Sequence, residues 1–154
     1  MHDAAKQALT AVLSYEPPKE VRARTVLELL EVSAAQEDRV SFERWRRELS
    51  DIYGALPLDE RIDYEMKVGA GFVQFGQYAR GEQHLQRAVS LAEHNRLGER
   101  LFRAEALLTA IRERRTEALA FSAAPTQNRT GIDPQLQDTL DRLSALEVPS
   151  GSQV

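Results

Sequence analysis

Residues 62–97 read IDYEMKVGAGFVQFGQYARGEQHLQRAVSLAEHNRL. Two helical patterns meet here at one break. Ile62, Met66, Gly69, Phe72, Val73 and Phe75 recur at the three- and four-residue spacing of one helix face, and Leu85, Ala88, Val89, Leu91 and Ala92 recur likewise after the break. Gly76 stands between them as a C-terminal stop. A turn this short forces the two helices to pack antiparallel. One such pair cannot bury both of its faces, whereas stacked pairs can.

Outward from this hairpin the same logic predicts an all-α chain of about seven or eight helices. The first covers residues 3–14, with Asp3 as its cap and Ala8, Leu9, Val12 and Leu13 inward. Pro17-Pro18 ends it and opens a second over 18–35, carrying Val21, Thr25, Val26, Leu29, Leu30 and Val32. Asp38 caps a third over 39–53, whose stripe is Val40, Phe42, Trp45, Leu49, Ile52 and Tyr53. A turn at Gly54–Pro57 precedes the fourth helix, 58–75, and the fifth covers 78–95. Leu97-Gly98 is the next break. A sixth helix begins near 99 with Leu101, Phe102, Ala104, Leu107, Leu108 and Ile111, and a weaker seventh is expected over 115–123. Residues 125–132 read as a loop. Asp133-Pro134 starts a capping helix over 133–148, with Leu136, Leu140, Leu143 and Leu146 inward, and 149–154 is expected to fray. No alternating strand pattern interrupts this series.

The 62–97 stretch resembles the tetratricopeptide repeat along its length of about 34 residues. Val68-Gly69 occupies the motif's apolar–glycine pair, Phe72 its large aromatic position, and Gly76-Gln77-Tyr78 the corner between the helices. Gly81 takes the small crossing position, Leu85 the large apolar one, and Ala88 with Val89 and Leu91 completes the second helix. Glu93 stands where proline is usual, and Tyr64 is one place early for the entering aromatic. The resemblance implies hairpins stacked as a short right-handed array over residues 1–124. It also implies that the first helix of each hairpin lines a concave ligand surface, here with Asp63, Met66, Ala70, Val73 and Gln74. The Lys, Arg and Asn residues with which family members grip a C-terminal carboxylate are missing from that set. The implied groove is apolar with a polar edge, fit for a hydrophobic peptide, a partner helix or a second copy, unless helix six or the last helix covers it.

Composition narrows the function further. Cysteine is absent, which removes disulfides, thiolate metal sites and cysteine nucleophiles. Net charge is -4, which argues against direct nucleic-acid binding. Of the 20 basic residues only Lys6, Lys19 and Lys67 are lysine. The start, MHDAAKQALTAVL, lacks a basic stretch followed by a long apolar run, and no window has the length of a membrane span. A cytoplasmic protein is therefore expected. His2, His84 and His94 have no second ligand at metal-binding spacing and read as surface or helix-end residues. No glycine-rich phosphate loop and no positioned serine nucleophile is present, so neither catalysis nor a metal or other cofactor is expected.

Glu43-Arg44-Trp45-Arg46-Arg47-Glu48 is the densest charge run. Its plain reading is a solvated face in which Arg44 and Arg47 pair with Glu43 and Glu48. Its sharper reading is an acidic-partner site with Trp45 as anchor and Arg44 and Arg47 beside it. Arg112, Arg114 and Arg115 make a second basic spot, placed at a helix end. The expected function is thus a protein- or peptide-binding module, with homodimerisation as one form of it. The stretch from Phe75 to Leu108 is also loosely similar to helical sensor regions behind DNA-binding domains of bacterial regulators. That likeness implies, as the alternative, a sensor or oligomerisation domain.

Overall fold

Short turns, most of them carrying one residue of positive φ, cut the chain into helices. The computed structural model describes residues 1–123 and, beyond them, Thr139 and Arg142, both helical. The described residues hold α1 (His2–Ser14), α2 (Lys19–Ala35), α3 (Arg39–Asp51), a short 3₁₀ helix (Tyr53–Ala55), α4 (Leu58–Gln74), α5 (Tyr78–His94) and α6 (Gly98–Ala123). No strand occurs among them. None of their helices is long and apolar enough to cross a membrane. Contacts divide the chain into Met1–Ala118 and Leu119–Val154. The first unit holds α1 to α5 and all but the last turn of α6.

Three of the turns share one design. After α2, Glu37 N–H donates to Ala34 C=O and Asp38 N–H to Ser33 C=O; after α4, Gly76 donates to Val73 and Gln77 to Phe72; after α5, Arg96 donates to Glu93 and Leu97 to Ala92. Each pair of bonds satisfies carbonyls that the helix end leaves free, and it requires a left-handed residue between. Glu37 (φ 57°), Gly76 (φ 76°) and Arg96 (φ 55°) fill that place. Only the second uses glycine, which reaches this region without steric cost. The α3–α4 link differs. Arg61 clamps it, donating from Nε to Leu56 C=O at 2.8 Å and from a terminal nitrogen to Gly54 C=O at 3.0 Å.

Asp38 caps α3 as expected, its carboxylate accepting from the Ser41 N–H at 3.0 Å and from the Ser41 hydroxyl at 2.6 Å. Asp3 does not cap α1. It lies inside the first turn and accepts instead from Gln36 Nε2 at 2.8 Å, tying α1 to the end of α2. The separate helix expected over 115–123 is the continuation of α6. Nothing between Ile111 and Ala118 breaks it, because Arg112 to Glu117 holds neither glycine nor proline. The 125–132 loop, the body of the 133–148 helix and the 149–154 tail fall outside the described residues.

α4 is the centre of the packing. Tyr64, Val68 and Phe72 on one side join Val26, Leu29, Leu30, Phe42 and Leu49 in one apolar cluster. Ile62, Met66 and Val73 on the other side join Leu85, Ala88, Ala104, Leu108 and Ile111 in a second. A helix apolar on two faces must be sandwiched, and α4 is. Phe42 seats its ring edge-on to both Phe72 and Phe75, with centroids 5.6 and 5.2 Å away. α4 and α5 run antiparallel: Val73 near the end of one meets Gly81 near the start of the other, and Glu65 meets His84 further back. α2 and α4 run parallel, since Arg24 bonds Glu60 while Glu31, seven residues on, bonds Lys67.

Candidate functional site

The parallel pair α2 and α4, with α6 flanking α4, leaves a groove between the three helices. It encloses about 540 Å³. Small side chains make its floor: Ala34 and Ala35 of α2, and Ala70 and Gly71 of α4. Met66 and Leu107 add apolar surface. Glu28, Glu31, Asp63, Lys67, Gln74 and Arg103 form its polar walls.

Four of the five residues expected on this surface line it: Asp63, Met66, Ala70 and Gln74. Met66 is only 6% exposed, so most of its side chain belongs to the α4–α5–α6 core. Val73 does not line the groove. It is equally buried and packs on the backbone at Gly81. The reason is angular. At about 100° per residue, Val73 stands about 80° away from Asp63 around the helix, whereas Lys67, Ala70 and Gln74 stay within about 40° of it.

Lys67 is missing from the expected set, although the same periodicity contains it. Its ammonium donates to Glu28 at 3.2 Å and to Glu31. Burial works to lower its pKa, but the bonds to Glu31 and Glu28 and their charges outweigh this and raise it. The groove is therefore less apolar than expected. It holds a cation, and that cation is already bound by two carboxylates of its own chain. Arg100 of α6 likewise approaches Asp63 and Asp59, each at 3.7 Å. Among the described residues Arg103, at the groove edge, has no such partner.

The charge run of α3 is rearranged relative to expectation. Trp45 is 7% exposed and lies in the α2–α3–α4 cluster, so it cannot serve as a surface anchor. Its position follows from the stripe Phe42, Trp45, Leu49, which faces α2 and α4. Arg44 lies over its ring, 4.7 Å from the centroid, and Arg47 is exposed. Glu43 pairs with Arg46, and Glu48 with Arg22 of α2. Val40, expected on the same stripe, is exposed. Arg112 and Arg115 sit within α6 rather than at its end, and both bond Glu82 of α5, whose pKa is lowered first by the Arg112 bond.

His84 is not a surface residue. Its side chain is 13% exposed, and Nδ1 lies 2.6 Å from the buried carboxylate of Glu65. Phe72 lies tilted against its ring, and Tyr53 and Tyr64 pack edge to face beside it. No sequence spacing announces this pair, because its members sit on successive helices. His94 is a helix-end residue as expected, its Nδ1 2.8 Å from Ser90 C=O. Among the described residues no three His, Asp or Glu side chains come together in a way that would hold a metal ion. Comparison with protein-family models, curated proteins and solved structures finds no match to the chain.

Proposed function

We propose that this chain is a non-catalytic interaction module of tetratricopeptide-like design, whose groove between α2, α4 and α6 receives a peptide segment or helix of a protein partner. The observation that carries the reading is the groove floor. Ala34, Ala35 and Ala70 leave a trough where larger residues would have filled the space. Main chain and side chains of a partner can then reach the helix surface closely, as helix-in-groove and extended-peptide recognition both require.

Two features support the hairpin part of the reading. Gly69 and Gly81 let α4 and α5 touch backbone to backbone. The α2–α3 and α4–α5 pairs are closed by the same left-handed turn, at Glu37 and Gly76. The interval between those turns exceeds the about 34 residues of the standard motif, because the 3₁₀ helix lengthens the α3–α4 link. A binding role fits the walls of the groove, where Lys67 is engaged with Glu28 and Glu31, and Asp63 with Arg100, while Arg103 is left to meet an acidic group of a partner.

The test is to pan a random peptide library against the full chain and to titrate the selected peptides calorimetrically. Ala70→Arg, which fills the trough from a half-buried position, is expected to weaken binding by about tenfold or more while helicity is kept. Failure to select any saturable peptide, or peptides that bind Ala70→Arg as tightly as the native chain, would overturn the proposal.

A further inference from the structure

The two walls of the α2–α4–α6 groove carry opposite charge. On the α2 side Glu28 and Glu31 share one ammonium, that of Lys67, so a negative charge is left over. Both carboxylate side chains are open to solvent, 57% and 60% exposed. On the α6 side stand Arg103 and Leu107, and both are exposed. Among the described residues the ion pairs of α6 belong to Arg100, Arg112 and Arg115, and Arg103 is in none of them. Asp63, the acid that α4 brings to the groove, is taken by Arg100. Glu99 precedes Arg103 by one turn, a spacing that favours an ion pair, yet the two do not pair.

The donors of the groove select the shape of what lies in it. From Asp63 to Gln74, α4 rises about 16 Å, or three turns. An extended peptide of that length brings main-chain carbonyls that need donors. Lys67 is held by Glu28 and Glu31, which leaves Gln74 and Arg103 to serve them. A helix bonds its own main chain and asks only for side-chain contacts.

We propose that the groove receives an amphipathic helix of a protein partner, with an acidic residue of one flank on the Arg103 guanidinium, an apolar residue one turn from that acid against Leu107, and a basic residue of the other flank facing Glu28 and Glu31. The assignment rests on the binding role of the groove and adds the chemistry of its occupant. Arg103 and Leu107 stand one turn apart, about 6 Å along α6. A helix alongside matches this step with residues three or four apart, whereas an extended chain matches it with residues two apart. Small residues between the flanks rest on Ala35 and Ala70 of the floor. Turning the helix end for end exchanges its flanks and sets like charges against both walls, so the charges also fix its direction.

The test pans a library of helix-stabilised peptides against the full chain and titrates the selected ones by calorimetry. They are expected to carry Asp or Glu three or four places from a Leu, Ile or Val, with Lys or Arg on the opposite flank. Arg103→Glu should keep helicity and weaken these peptides by about fivefold or more. Panned in its turn, that variant should select Lys or Arg where the native chain selects the acid. Arg47→Glu makes the same change of net charge on α3, outside the groove lining, and should leave affinity within about twofold. Among peptides that Ala70→Arg weakens, and that therefore occupy the groove, four results would each overturn the proposal and leave the groove a binding site. They are no enrichment of acid at that spacing, acid and apolar residue two places apart, equal affinity for Arg103→Glu, and an equal loss in Arg47→Glu. Selection of no saturable peptide would overturn the occupant and the binding role together.

Discussion

Gly69 and Gly81 face each other across the α4–α5 contact with no room for a Cβ on either. A Cβ on Gly69 would stand 2.9 Å from the Gly81 carbonyl oxygen, and one on Gly81 would stand 2.6 Å from the Gly69 carbonyl oxygen. Both obstacles are backbone, so neither can rotate aside. Gly81 is also pressed by Val73 Cγ2, which lies 2.5 Å from the same point. Gly98, by contrast, has nothing within 4 Å.

These distances give one substitution opposite signs at two sites. Gly81→Ala is expected to destabilise the chain by about 1–3 kcal/mol through overpacking, and Gly81→Leu to abolish the α4–α5 hairpin. Gly98→Ala should be neutral or stabilising by up to about 1 kcal/mol, because it restricts the unfolded chain at no steric cost. Urea unfolding of the three variants checks this. An unchanged midpoint for Gly81→Ala would remove the close approach as an organising contact.

Val73 and Gln74 are neighbours in sequence with opposite environments. Val73→Glu places a charge in the α4–α5–α6 core and is expected to cost several kcal/mol, on the order of 3 or more. Gln74→Glu changes an exposed residue at the groove and should stay within about 0.5 kcal/mol. Thermal unfolding followed by circular dichroism separates the two. A stable, fully helical Val73→Glu would return that side chain to the groove.

Asp38 carries the pH dependence of the α2–α3 turn. Hydrogen bonds from the Ser41 side chain and backbone, followed by that from Lys6, lower its pKa to about 2. Its contribution is therefore complete above the unfolded value of about 3.9 and is lost as pH falls through about 2. Asp38→Ala is expected to cost about 1 kcal/mol near neutrality. The gap between native chain and variant should close below that range. Paired urea titrations across pH 6 to 2 measure it, and a gap that is constant with pH would contradict the cap.

Tyr53 offers an alkaline probe of the buried Glu65–His84 pair. Burial, and then the charge and hydrogen bond of Glu65, push its phenol up to about 12. The raised value means that the stabilisation is present below about 10 and disappears as pH rises through about 12. Glu65→Gln should lower the Tyr53 pKa while leaving it above the free value of about 10, because burial persists. Carbon NMR of the Tyr53 ring against pH resolves both shifts. A native Tyr53 that titrates near 10 would show the ring to be solvated.

The helical class, the 62–97 hairpin, the break at Gly76 and the Asp38 cap are legible in the chain itself, because periodicity, caps and breakers act within a few residues. The continuity of α6 is legible too, in the lack of a breaker after Ile111. So is the place of Lys67 on the groove stripe and of Val73 off it, since both follow from the angle per residue. What the chain alone does not disclose lies between helices. Lys67 meets Glu28 and Glu31 across α2 and α4, and His84 meets Glu65 across α4 and α5. These partnerships depend on the crossing and register of packed helices. Local sequence leaves both free until the apolar faces dock, and only the tertiary structure decides them.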